Sequence, residues 1–368
     1  MTFHGEEVGR IPLDPLADAA PKYDRPHVPT PKRAPLADVP ESTDIGADLL
    51  TLIGSADLCS RRWIWEQYDS QVGADTLQRP GGDAAVVRVH GTKKALAIAT
   101  DCTPRYCFAD PHEGGKQAVA ETWRNLISVG ARPLAITNCL NFASPQNPVI
   151  MGQLIGCIEG MAEACRALDY PVVSGNVSLY NESRATGGGN AILPTPAIGG
   201  VGMLADYARQ MTLAFKAAGD AIWLIGNAGS HLGQTLWLRE CHGREDGPPP
   251  PVDLAAERAA GDNVAALIAA STVNAVHDLS DGGLVVALAE MALASGVGAV
   301  IDTHLDAATA FGEDQGRYLV TAPAGAAIAN ATLIGTVAGD ALVLNGAALA
   351  LADLRRVHET ALPAMMAG

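Results

Sequence analysis

From about residue 83 onward the chain alternates short apolar runs with longer runs that repeat at helical spacing, and this alternation limits the fold most. Ala84-Ala85-Val86-Val87-Arg88-Val89 and Ala95-Leu96-Ala97-Ile98-Ala99-Thr100 have the length and apolar content of strands. The spacing then predicts a helix over 115–129, with Ala118, Val119, Thr122, Trp123, Leu126 and Ile127 on one face and Gly130 as its stop. A strand at 134–137, a helix at about 150–168, a strand entered at Pro171-Val172-Val173 and a strand at 197–204 complete this block. A second block opens at Ala221-Ile222-Trp223-Leu224-Ile225-Gly226. It adds an exposed loop at 244–251, an Ala-rich helix at 254–270, a strand at 273–276 and a helix ending near 294. Strands near 298–302, 317–321 and 332–337 finish it. Two such blocks predict a two-domain body of α/β to α+β class, divided as 46–210 and 211–368.

Residues 1–45 carry eight prolines, a density that prevents long helices and predicts an extended linker lying over a neighbouring surface. His4-Gly5-Glu6-Glu7-Val8 followed by Arg10-Ile11-Pro12-Leu13 reads as a turn and strand, the tail of a preceding domain.

Charge narrows the function classes. Lys and Arg total 25 against 40 Asp and Glu, a formal net charge of -15, which repels phosphate backbones and argues against nucleic acid as a partner. Nucleotides are not excluded, because backbone N–H groups and a bound metal hold phosphates inside acidic proteins. No apolar run reaches membrane-spanning length free of Gly, Pro or charge, and the start has no secretory pattern, so the expected location is cytoplasmic with no membrane partner. The seven cysteines form no C-x-x-C pair, which fits reduced, mostly buried thiols rather than a disulfide or zinc framework.

Four segments could carry chemistry. Ser174-Gly175-Asn176-Val177-Ser178-Leu179-Tyr180-Asn181-Glu182 follows an expected buried strand; its small residues admit an anion to the backbone, and Asn176 and Ser178 offer hard oxygen ligands of the kind Mg²⁺ takes. A tight turn capped by Asn and Ser accounts for the same string equally well. Thr137-Asn138-Cys139-Leu140-Asn141-Phe142 stands at the carboxyl end of a strand, where open αβ sheets bind ligands; Asn138 is its candidate ligand-binding group and Cys139 reads as a buried small hydrophobe. Thr100-Asp101-Cys102-Thr103-Pro104-Arg105-Tyr106 offers Asp101 as a metal ligand, with a turn or cap role as the plainer alternative. His277-Asp278-Leu279-Ser280-Asp281-Gly282-Gly283 places two carboxylates three apart at a helix start, which Ser280 or Asp281 as N-cap explains without catalysis. Other motifs fail: Gly114-Gly115-Lys116 lacks the earlier glycine of a Walker A loop, and Gly187-Gly188-Gly189 reads as a flexible loop. No G-x-S-x-G or Cys-centred glutaminase elbow exists, so nothing here releases ammonia from glutamine.

Taken in order, several strings resemble the second half of the phosphoribosylformylglycinamidine synthase family. They include Ala20-Pro21-Lys22-Tyr23-Asp24-Arg25-Pro26, Arg62-Trp63-Ile64-Trp65-Glu66-Gln67-Tyr68-Asp69 and Pro80-Gly81-Gly82-Asp83-Ala84-Ala85-Val86-Val87-Arg88. The run from Thr100 to Phe142, the Ser174 string, Pro194-Thr195-Pro196, the His277 string and Phe311-Gly312-Glu313-Asp314-Gln315-Gly316-Arg317-Tyr318 follow. The resemblance implies two fused copies of an αβ plus α+β unit, a unit shared with aminoimidazole ribonucleotide synthetase. This chain corresponds to the second copy and the tail of the first. Carried over by position, Asn138 and Gly175 touch ATP, Asn176 binds Mg²⁺ and Ser178 contacts the ribonucleotide substrate. The family commonly has Asp where Asn138 stands, so the charge there is lost. Asp101, Arg124 and Asn125 echo first-copy metal and substrate positions and fit a structural nucleotide site.

The resemblance further implies ATP-driven conversion of formylglycinamide ribonucleotide to its amidine in purine biosynthesis, a carbon–nitrogen ligase reaction. No catalytic residue is assigned to this chain, because the family's catalytic histidine and first metal carboxylates belong to the amino-terminal half. That half and a glutaminase subunit are the implied partners, and the chain alone is expected to be inactive. A non-catalytic nucleotide-binding module, or a free-standing aminoimidazole ribonucleotide synthetase-like enzyme, are the competing readings.

Overall fold

The computed structural model of the chain describes residues 1–183 and 190–367; the Gly187-Gly188-Gly189 string lies outside the described residues. Thr2–Phe3 and Glu6–Glu7 form an exposed hairpin, and no helix or strand occurs between 21 and 43. The proline-rich stretch is nonetheless docked on both domains. The Val28 amide donates to the Pro148 carbonyl at 2.9 Å, Arg33 Nη1 donates to the Glu245 carbonyl, and Arg244 donates to the carbonyls of Ala37 and Asp38. Gly152 is required under this strap, because a Cβ there would drive into the Val28 carbonyl. The 244–251 loop is therefore not an exposed loop. Gly247, Pro249 and Pro250 are buried, and Gln234 Nε2 donates to the Glu245 and Gly247 carbonyls.

Helix α1 (Ile45–Ile53) is capped by Asp44 and buries Ile45, Leu49, Leu52 and Ile53. These side chains join the core of the second domain, not the first, so the boundary at 46 misplaces this helix. Its apolar face packs there against the helices that carry Trp237 and Leu284.

The first domain is a six-stranded sheet of β1 (Thr76–Gln78), β2 (Ala85–Arg88), β3 (Ala95–Asp101), β4 (Arg132–Asn141), β5 (Val172–Ser178) and β6 (Thr195–Leu204). Its order is β1-β2-β3-β6-β4-β5, antiparallel except for the parallel β4–β5 pair. Between these strands run α2 (Pro104–Ala109), α3 (Pro111–Ser128) and α4 (Pro148–Ala167). Asp110 caps α3 by accepting from the amides of His112 and Glu113, with Pro111 at its first position, so the helix starts four residues before the sequence reading. Almost all of α3 is buried, because one side faces the sheet and the other packs on α4 and the second domain. Among the described residues, helices cover one sheet face only. On the other, Leu96 and Ile98 remain 39% and 43% exposed, beside Val201 and Met203 on β6.

The second domain holds a seven-stranded sheet: β7 (Ala221–Ile225), β8 (Ala275–Asp278), β9 (Ala299–Ile301), β10 (Tyr318–Ala322), β11 (Ala331–Val337), β12 (Ala341–Leu344) and β13 (Ala347–Ala350). The order is β8-β10-β7-β11-β9-β12-β13, with only β9–β12 parallel. Helices α5 (Leu236–His242), α6 (Leu254–Ala269), α7 (Gly283–Ser295) and α8 (Leu351–Met366) accompany it. Sheets this rich in antiparallel pairs make both domains α+β in character.

Candidate functional site

The four residues singled out on the first sheet come together at its edge. β5 pairs with β4 in parallel, setting Asn138 beside Gly175, Cys139 beside Asn176 and Asn141 beside Ser178. Alternation then divides them between two faces. Asn176 and Ser178 share the open face with Thr137 and Ser174, whose hydroxyls are 2.8 Å apart. Asn138 and Gly175 point to the helix side. A Cβ on residue 175 would lie 2.6 Å from the Asn138 carbonyl oxygen and collide with its side chain, so only glycine fits. The segment is neither a turn nor a strand buried on arrival: Val172–Ser178 is an exposed edge strand, with Val173 71% exposed. Cys139 is likewise exposed, not buried, because it falls on the open face.

A second group forms where the domains meet. A cavity of about 790 Å³ is lined by Asp83, Asp101, Glu121, Asn125, Asp278 and Ser280, among others. Thr100 at its wall lies three strands from β5, roughly 14 Å by strand spacing. None of Asn138, Gly175, Asn176 and Ser178 lines it. Asp101 at the end of β3 accepts from Asn125 Nδ2 at 3.1 Å and caps nothing. Burial pushes its carboxyl up to about 7, and the nearby Asp278 adds to the shift. Burial likewise raises Asp278 to about 6, assisted by Asp83 and opposed by Arg124 and His277. Glu121 is pushed well above the ordinary carboxylate range by burial and by Asp101. Carboxylates that raise one another in one cavity hold protons where a cation would serve. Asp278 Oδ2 and Asp83 Oδ2 are moreover buried without a hydrogen-bond partner. Hard oxygen donors from Asp101, Glu121, Asn125 and Asp278 suit Mg²⁺.

His277 is held on both nitrogens. Nδ1 lies 2.5 Å from Asp83 Oδ1 and Nε2 lies 3.0 Å from Glu290 Oε2. Burial opposes its charge, but the two carboxylates outweigh burial and keep its pKa well above the ordinary value. Asp83, His277 and Asp278 also place one ligand atom each within 4.8 Å of one another. Neither Ser280 nor Asp281 caps α7; the N-cap is Gly282, in the left-handed region at φ 81°. Asp281 is taken by Arg105 instead, at 2.6 and 3.2 Å. Arg124 lies outside the cavity lining, fully buried, with Nη1 2.9 Å from Glu257 and Nε 3.5 Å from Asp278. It therefore braces the domain interface. Glu290 went unread in the sequence, and Asp83, Arg105, Glu121 and Glu313 stood only inside quoted strings or runs. Their signal is tertiary, a charged residue buried against the other domain.

Residues 81–204 match the family model described as the N-terminal domain of AIR synthase related protein, and residues 217–343 match its C-terminal domain. Phosphoribosylformylglycinamidine synthase subunit PurL of Novosphingobium aromaticivorans is 64% identical over 365 residues, covering 98% of this chain and 50% of that protein. The chain thus spans about half the length of the curated relatives it matches. Thermotoga maritima PurL complexed with FGAR shares the fold at a TM-score of 0.68 and 16% identity, over 85% of this chain and 54% of that one. The same protein complexed with ATP gives 0.61 at 21% identity, over 92% and 48%. With both family domains present in order across more than half its length, the chain belongs to the AIR synthase related protein family.

Proposed function

We propose that this chain is half of an ATP-dependent carbon–nitrogen ligase of de novo purine biosynthesis, acting in the cytoplasm. The reaction is conversion of formylglycinamide ribonucleotide to formylglycinamidine ribonucleotide. The observation that carries the reading is the edge of the first sheet. Asn138, Gly175, Asn176 and Ser178 are gathered there on neighbouring strands, and the sheet face that carries Asn176 and Ser178 also displays Leu96 and Ile98 of β3, with no helix covering it among the described residues. Exposed apolar surface of this kind marks an interaction face. The amino-terminal half is the partner that covers it, consistent with a chain half as long as its relatives. The PurL names of those relatives, and the FGAR and ATP complexes of the Thermotoga maritima protein, support the substrate assignment.

In this reading the amide oxygen of the substrate attacks the γ-phosphorus of ATP, ADP leaves, ammonia adds at the activated carbon and phosphate is expelled. A glutaminase subunit supplies the ammonia. The residues of this chain bind and orient. Asn138 and the Gly175 backbone hold ATP, Ser178 hydrogen-bonds the ribonucleotide, and Asn176 is an oxygen ligand. Mg²⁺, when bound, neutralises phosphate charge. Proton transfers belong to residues of the other half. The test is assembly: the chain mixed with the amino-terminal half of a relative should co-elute as an equimolar complex that binds Mg²⁺·ATP. Two components that stay apart would sink the proposal.

A second reading concerns the interdomain cavity, where the ring of raised carboxylates fits a cation with a nucleotide of structural role. It is independent of the edge-strand site and uses Asp101, Asn125 and Asp278.

A further inference from the structure

Arg105 sits on α2 of the first domain, 10% exposed at its side chain, and all its contacts named here reach the second domain. Nη2 and Nη1 grip the two oxygens of Asp281 at 2.6 and 3.2 Å, Nη2 also reaches Glu313 Oε2 at 2.7 Å, and Nε donates to the Gln234 carbonyl at 2.7 Å. This is the fork geometry that a lysine cannot reproduce. Glu313 is fully buried. Besides Arg105 it accepts from the Tyr106 hydroxyl, from the Leu236 amide at 2.9 Å and from the Gly282 amide at 2.9 Å.

Both carboxylates belong to, or hold, one turn. Asp281 is in it, and Gly282 hangs on Glu313. Gly282 and Gly283 both have positive φ, at 81° and 71°, and a Cβ on Gly283 would lie 2.6 Å from the Gly312 carbonyl oxygen. Glycine adopts this backbone freely, so what holds the turn in place is the Gly282 amide on Glu313 and the close approach of Gly283 to the Gly312 carbonyl. On the other side of the same turn, Asp278 and Ser280 line the interdomain cavity.

We propose that Arg105 is a positioning residue: through Asp281 and Glu313 it fixes the 278–283 turn so that Asp278 and Ser280 face a cation-bound nucleotide in the cavity. The inference rests on the second reading given above. Arg105 touches neither ligand in this scheme. It also neutralises Asp281, which otherwise adds negative charge beside Asp101 and Glu121.

The test uses the full chain and R105K, with Glu313→Gln as a second variant, at a temperature where circular dichroism shows all three folded. Calorimetry reads ADP affinity with and without Mg²⁺, and amide hydrogen exchange reads Leu279 and Gly282. R105K is expected to lose about tenfold in affinity with Mg²⁺ and nothing measurable without it, with faster exchange at both amides. A residue serving only stability would leave both affinities unchanged, and that result overturns the proposal. Should the unaltered chain bind no ADP, the nucleotide reading fails separately. The positioning claim is then decided by exchange alone, and unchanged protection of Leu279 and Gly282 in both variants refutes it.

Discussion

Asp101→Asn isolates the electrostatic state of the interdomain cavity, because asparagine keeps the shape and can still pair with Asn125, which lies 3.1 Å away. The native carboxyl titrates at about 7 against an ordinary 3.8, a rise of about three units. At about 1.36 kcal/mol per unit that is a ceiling of about 4 kcal/mol. An acid whose folded pKa lies above its unfolded one binds its proton more tightly when native. Its stabilisation is therefore complete below pH 4 and is lost as pH rises from there through 7. About two of the three units fall between pH 5 and 7.5. After discounting for partial exposure and screening, the variant should gain roughly 1–2 kcal/mol on the unaltered chain across that window. With a urea slope of about 3 kcal/mol/M, the midpoint difference should widen by about half a molar between the two pH values. Unfolding is measured in chelator, then in excess Mg²⁺. The cation should favour the unaltered chain, since only it presents the full carboxylate set. Parallel pH profiles for the two proteins, with no Mg²⁺ effect on their difference, would refute the cavity's description as a cation site.

Asn176→Leu removes an oxygen from the open face of β5, so Mg²⁺·ATP affinity of the assembled two-half complex should fall at least tenfold with an unchanged circular dichroism spectrum. Arg124→Met strands Glu257 and Asp278 in the interface and should destabilise the chain by about 3–5 kcal/mol in urea, whereas an exposed pair such as Arg356–Asp353 should cost under about 1 kcal/mol. Gly160→Ala puts a methyl against the His112 carbonyl where α3 and α4 cross, and a melting scan should show a loss of about 1–3 kcal/mol.

Strand and helix order was legible because apolar spacing records burial on one face. The helix at 150–168 and the strand at 95–100 fall within two residues of α4 and β3. What failed depended on long-range packing. Helix α1 has no place in the sequence reading, and nothing local says that its apolar face belongs to the second domain. Cys139 looks like a core residue but falls on the open face of β4, and Val173 looks like one but stands on the edge strand β5. The pairing of Asn138 with Gly175 was not visible from either segment alone, since residues 37 apart meet only through the β4–β5 register. Asp281 satisfied a capping pattern, yet Arg105, 176 residues away, outcompetes an N-cap bond with a bidentate ion pair.

The most direct measurement is amidine formation from formylglycinamide ribonucleotide, ATP, Mg²⁺ and ammonium salt, which bypasses any glutaminase. The purified chain alone should give no product, and adding the amino-terminal half of a relative should restore turnover. Robust turnover by the chain alone, or none with both halves in an assembled complex, would contradict the account.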